Sequence, residues 1–205
     1  MVPNKKIIDP FELGRNNKHA PEFWINSTID IALNILKHRI NIKNSLSKDE
    51  FLINEQITRE LLGRNIWKYS EAFGKFKGCP FWSVKAFNHF IKMKKEGAMK
   101  SQREKLLRHE HVFPQIMLIQ MMKNLKNPDK KTLELLFSTY AIATVVTVDE
   151  NDALNKAGLR QSTPSKDNIW LRYKKTGIEI KNNKLKNIFF NFHLNKINEI
   201  NLLKF

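Results

Sequence analysis

The sequence predicts a predominantly α-helical body carrying a small mixed α/β C-terminal portion, and three observations carry that class. Apolar residues recur at helical spacing, as in Ile25, Ile29, Leu33 and Leu36. Helix-opening signals at Ser47 and Ser83 punctuate the first two thirds of the chain. After residue 142 the character changes to the β-branched run Thr144-Val145-Val146-Thr147-Val148.

Residues 1–21, with Pro3, Pro10, Gly14 and Pro21, read as an extended N-terminal arm. Residues 22–141 read as the helical domain. Its first helix spans about Phe23 to Ile42. Ser47-Lys48-Asp49-Glu50 has capping-box form, in which the serine accepts an orphan N–H and the glutamate reaches back, and should open a helix that Gly63 stops at Leu62. The aromatic block from Trp67 to Trp82 is broken by Gly74, Gly78 and Pro80 and is expected to fold as short turns. Ser83 caps a helix through Lys95. A further helix is expected from Ala98 to Val112, where Pro114 forbids continuation. Gln115–Leu125 and Lys130–Tyr140 read as two more, parted by Asn127-Pro128-Asp129. Residues 142–205 read as a small mixed α/β portion packed on the helical domain. It holds a buried strand, a capping box at Thr147-Val148-Asp149-Glu150 whose helix Gly158 closes, and a hairpin between Ile169 and Phe192 around Thr176-Gly177.

With 41% hydrophobic and 10% aromatic residues, the 205-residue chain can bury a real core. One cysteine, Cys79, excludes an internal disulfide and a cysteine-based zinc site. No apolar run reaches membrane-spanning length, so a cytoplasmic protein without a membrane partner is expected. Lysine and arginine total 36 against 20 acidic residues, a formal net charge of +16. That excess repels itself in a compact state, and a polyanion such as DNA or RNA is its natural partner. Low-GC coding also inflates lysine, yet here the cations cluster. Lys92, Lys94, Lys95, Lys100, Arg103, Lys105 and Arg108 precede the histidines, and Arg160 and Arg172 flank a later polar loop as phosphate clamps.

The cluster His109-Glu110-His111 follows that basic run, and imidazole and carboxylate are the groups that move protons or hold metals near neutral pH. Two residues apart, the histidines are expected to diverge, by about 200° on a helix, so that only one faces a site. Capping of helix carbonyls is the plain alternative for either ring. The aromatic block, with Lys68, Lys75, Lys77 and Lys85 interleaved, suits stacking on unpaired bases, although such density more often builds a core.

Glu110-His111-Val112-Phe113-Pro114-Gln115 resembles a signature of some His-Me finger (HNH-like) endonucleases. The resemblance implies phosphodiester hydrolysis with His111 as general base, Glu110 as metal ligand or orienting partner, and Mg²⁺ or another divalent metal as cofactor. Arg103 and His109 resemble the Arg-x4–6-His motif of HEPN ribonucleases, which implies metal-independent RNA cleavage across a homodimer. Glu179-Ile180-Lys181 with Asp167 resembles the Asp-x-Glu-x-Lys metal nucleases. The expectation is therefore a nuclease with His109, Glu110 and His111 at its centre and Lys100, Arg103, Lys105, Arg108, Arg160 and Arg172 on the nucleic acid. The alternative is a non-catalytic DNA- or RNA-binding subunit of a larger complex, for instance in a defence system.

Overall fold

The structure, a computed structural model, describes residues 20–72, 74–76, 79–165 and 168–182. In chain order the elements are α1 (Ala20–Ile42), a 3-10 turn (Lys43–Ser45), α2 (Lys48–Ser70), β1 (Phe81–Ser83), α3 (Val84–Lys95) and α4 (Lys100–Lys105). There follow β2 (Leu107–His111), α5 (Gln115–Lys123), α6 (Lys130–Tyr140), β3 (Ala143–Thr147), α7 (Val148–Lys156), α8 (Leu171–Lys175) and β4 (Ile180–Asn182). The protein is mainly α, with a small four-stranded mixed sheet.

Local hydrogen bonds start the helices where the sequence signals them. Ser47 and Glu50 form the reciprocal box, the serine N–H donating to the Glu50 carboxylate at 2.8 Å. Thr147 and Glu150 repeat it at α7, and Asp129 accepts from the Thr132 N–H at 2.9 Å to open α6. Besides the aromatic block, whose two ends extend α2 to Ser70 and form β1 instead of short turns, three segments differ from the sequence reading. Gly63 does not end α2, which runs on to Ser70. Its carbonyl accepts from the Gln115 side chain, and a Cβ there would lie 3.7 Å from Ile119 Cδ1. The glycine lies where α5 crosses α2, and the burial of Leu62 and Ile66 outweighs its helix penalty of about 1 kcal/mol.

The helix expected through Val112 ends at Lys105, and residues 107–111 form a strand instead. β2 pairs antiparallel with β3 from Leu107↔Thr147 to His111↔Ala143, so backbone ladder bonds and the burial of Leu107 override local helix propensity. The third difference is the hairpin. Leu171–Lys175 is a short helix, Gly177 turns the chain at φ +69°, and β4 pairs antiparallel with β1 rather than with an adjacent strand. The remainder of that expected hairpin, and nearly all of the N-terminal arm, lie outside the described residues.

The sheet order is β2-β3-β1-β4, with β1 and β3 parallel and the other pairings antiparallel. Its strands come from both sides of residue 142. One core joins α1, α2, α5 and α6 around Leu36, Leu62, Ile66, Leu118 and Phe137. A second lies between one sheet face and α3, with Trp82, Phe90, Leu107 and Val145. A third covers the other face with Val112, Val146, Leu154 and Tyr173. Among the described residues no helix is long and apolar enough to cross a membrane.

Candidate functional site

β2 organises the site, because a strand sends alternate side chains to opposite faces. Leu107, His109 and His111 share one face and Arg108 and Glu110 take the other, as their alternating burial records. The two histidines therefore do not diverge. Their ring centroids are 5.9 Å apart, and both rings meet the Trp67 indole edge-on, at 5.1 Å for His109 and 5.0 Å for His111.

Both imidazoles are buried, at 6% and 7% exposure. The Ser70 hydroxyl donates to the Trp67 carbonyl at 2.8 Å and lies 3.2 Å from His111 Nε2, an arrangement that fits His111 protonated at Nε2 and donating to Ser70. Neither ring nitrogen of His109 reaches a partner at hydrogen-bond geometry, and both are covered. Burial pushes the His109 pKa down to about 3, helped by the charges of His111 and Lys75 and opposed weakly by the Ser70 backbone. Burial likewise takes His111 to about 4, against a backbone contact with Ile66 and with the charge of Arg172 adding to the depression. At neutral pH both rings are uncharged aromatics.

Glu110 belongs to a different cluster. On the opposite face its carboxylate lies 3.0 Å from Arg172 Nη1 and accepts from the Tyr173 hydroxyl. Burial raises its pKa to about 7, against the downward pull of Arg172 and Tyr173. Arg172 is fully buried, not a phosphate clamp. Its Nη1 donates to the carbonyls of His111 at 2.9 Å and Val112 at 3.3 Å, and its Nη2 to that of Leu159. This network fastens β2 to α8.

Because Glu110 and His111 face opposite sides of the strand, they cannot act on one water or one metal. Among the described residues no three His, Cys, Asp or Glu side chains converge as a metal site. The Glu110–His111 pair therefore does not supply a shared divalent-metal site at β2. Of the Asp-x-Glu-x-Lys resemblance, Glu179, just before β4, and Lys181, on β4, are exposed and ion-paired to each other at 3.6 Å, while Asp167 lies outside the described residues.

Beside β2 a cleft of about 570 Å³ opens between α2, the turn at Lys75-Phe76 and α4. Trp67, Phe76, Leu107 and His109 supply its apolar wall, and Lys75, Lys105 and Arg108 bring positive charge to it. Ser101, Gln102 and Glu104 of α4 complete the lining. Lys105 and Arg108 are exposed, as is Lys100 at the start of α4. Arg103 is not part of the cleft. Its guanidinium lies 5.6 Å from the Phe90 ring centroid and donates to the Ala98 carbonyl at 2.7 Å, so it holds α4 against α3. The Arg103–His109 pair of the ribonuclease resemblance is thus split between a packing contact and the cleft wall. Arg160 is exposed beside Leu159 and does not line the cleft either.

Of the residues expected at the nuclease centre or on the nucleic acid, the cleft gathers His109, Lys105 and Arg108. Sequence reasoning missed that Lys75 and Trp67 join them, although the interleaving of lysines with aromatics was the signal. It also missed Ser70 and Tyr173, for which no local pattern exists. No family model matches the chain, and neither a curated protein nor a solved structure matches it.

Proposed function

We propose that this protein is a nucleic-acid-binding module that engages a sugar-phosphate backbone at the cationic cleft beside β2. One observation carries the reading: Lys75, from the turn after α2, meets Lys105 and Arg108, from the stretch joining α4 to β2, at one cleft with Glu104 as the acidic side chain on its wall. The net charge of +16 supplies long-range attraction for such a polymer. Binding of this kind asks only for charge and leaves the buried histidines a structural task.

Fluorescence anisotropy of labelled DNA and RNA over rising salt tests it. Each of Lys75→Ala, Lys105→Ala and Arg108→Ala should weaken binding and flatten the log–log salt slope by about 0.7 to 0.9. An unchanged slope in all three, or no binding by the wild type at low salt, overturns the reading.

Hydrolysis is the second reading, favoured by one feature: a neutral imidazole, His109, forms part of the wall of the same cleft. Its nitrogens are covered, so they reach a phosphodiester only after the packing around the ring opens. Incubation of plasmid DNA and structured RNA with and without Mg²⁺ decides it. Product formed by the wild type and lost in His109→Ala supports hydrolysis, and product undiminished in the variant removes the histidine from it.

A further inference from the structure

Phosphates explain the cations of the cleft but not its wall. Trp67, Phe76 and Leu107 make an apolar surface inside a rim of Lys75, Lys105 and Arg108. A duplex backbone has no use for such a surface, because its bases are stacked on one another and only their edges show. An unpaired nucleotide presents both parts, a flat aromatic base and an anionic phosphate.

We infer that the cleft admits one unpaired nucleotide, its base stacked on Trp67 and its phosphate held at the cationic rim, so that the protein selects single-stranded over double-stranded nucleic acid. The inference rests on the nucleic-acid reading above and names the form of polymer that this site takes.

The placement of Trp67 supports it. Tyr69 and Trp82, of the same aromatic block, are wholly given over to the core, whereas Trp67 is only half-buried and lines the cleft. The indole is braced from within by two imidazoles, packed edge-on at interplanar angles of 72° and 62°. An aromatic held this way loses little conformational freedom when a base lands on it. The volume, about 570 Å³, falls within the range of sites that enclose a small organic ligand and suits a nucleotide. Ser101, Gln102 and Glu104 stand on the α4 wall as hydrogen-bonding groups for a base edge.

The test compares four labelled oligonucleotides by anisotropy at fixed salt: a DNA single strand, its RNA counterpart, the same length with abasic sugars throughout, and the DNA duplex. The wild type should bind at least one intact single strand about tenfold tighter than the abasic strand and the duplex. Trp67→Leu should erase that preference while keeping the salt slope, and Trp67→Phe should retain most of it. Equal affinity for intact and abasic strands overturns the base pocket and leaves backbone binding standing. Failure to bind any of the four at low salt overturns the underlying reading as well. A preference that survives in Trp67→Leu removes stacking on this residue. Should the leucine variant fail to fold, the intact-against-abasic comparison on the wild type still decides for or against the base pocket.

Discussion

Acid should destabilise this protein through the two buried histidines, and aromatic substitution should reverse the effect. Their pKa values in the folded protein are about 3 and about 4, below the ordinary 6.5. The unfolded chain takes up both protons near pH 6.5, whereas the folded protein resists until far lower pH. The stability of the neutral rings is therefore fully present above the ordinary value and drains away as pH falls towards the folded ones. At about pH 5 each ring has lost about 2 kcal/mol, or about 4 kcal/mol for the pair. Glu110 acts in the opposite sense. Its folded pKa, about 7 against an ordinary 4.5, means that acidification from neutrality relieves the disfavoured buried carboxylate. That returns about 2 kcal/mol by about pH 5. These three groups together should cost the wild type about 2 kcal/mol over that interval. His109→Phe keeps an aromatic ring against Trp67 and should bring their net change near zero. With His111→Phe added, the sign should reverse, to a gain of about 2 kcal/mol. Urea unfolding followed by circular dichroism at the two pH values measures this, and other carboxylates cancel in the differences between variants. If the wild type and the double variant show the same pH dependence, the burial argument for the histidines is wrong.

The Glu110–Arg172 pair makes a second prediction. Arg172→Met strands a buried carboxylate and three carbonyls and should destabilise by about 3 to 5 kcal/mol, with part recovered on adding Glu110→Gln. A loss below about 1 kcal/mol in urea unfolding would show that β2 does not depend on this anchor. Ser47→Ala removes half of a capping box and should cost about 1 kcal/mol, read as a lower Tm. Gly97 has φ +72° and nothing within 4 Å of the position a methyl would take, so Gly97→Ala should cost about 1 kcal/mol from backbone conformation alone, with no change in packing by near-ultraviolet circular dichroism.

What the sequence made legible is what short-range bonds decide. Ser47, Ser83, Asp129 and Thr147 each satisfy an N–H a few residues away, so their helices begin where a local reading puts them. β3 was readable because its β-branched residues suit a pleated strand wherever it lies. β2 was not, since Arg108-His109-Glu110-His111 has no apolar alternation and follows a genuine helix. It is a strand because Ala143–Thr147 offers a partner from a distant part of the chain. The sequence does hold a fainter signal there: Leu107, His109 and His111 repeat with period two, which is one face of a strand. The Glu110–Arg172–Tyr173 network joins residues 61 to 63 positions apart, a separation that no motif or periodicity reports.

The two faces of β2 divide its task. On one, neutral imidazoles brace the indole that walls the cleft. On the other, Arg172 satisfies the carbonyls of His111 and Val112 at the end of a strand that forms the edge of the sheet. An edge strand whose terminal carbonyls lacked these donors would be prone to fray, and the rings it carries would lose their fixed place against Trp67. Charge alone would then still attract a polyanion, because Lys75, Lys105 and Arg108 owe nothing to ring orientation. What Arg172 underwrites is the shape of the apolar wall, so on the single-strand proposal its loss should blunt selection among nucleic-acid forms more than it weakens attraction to them.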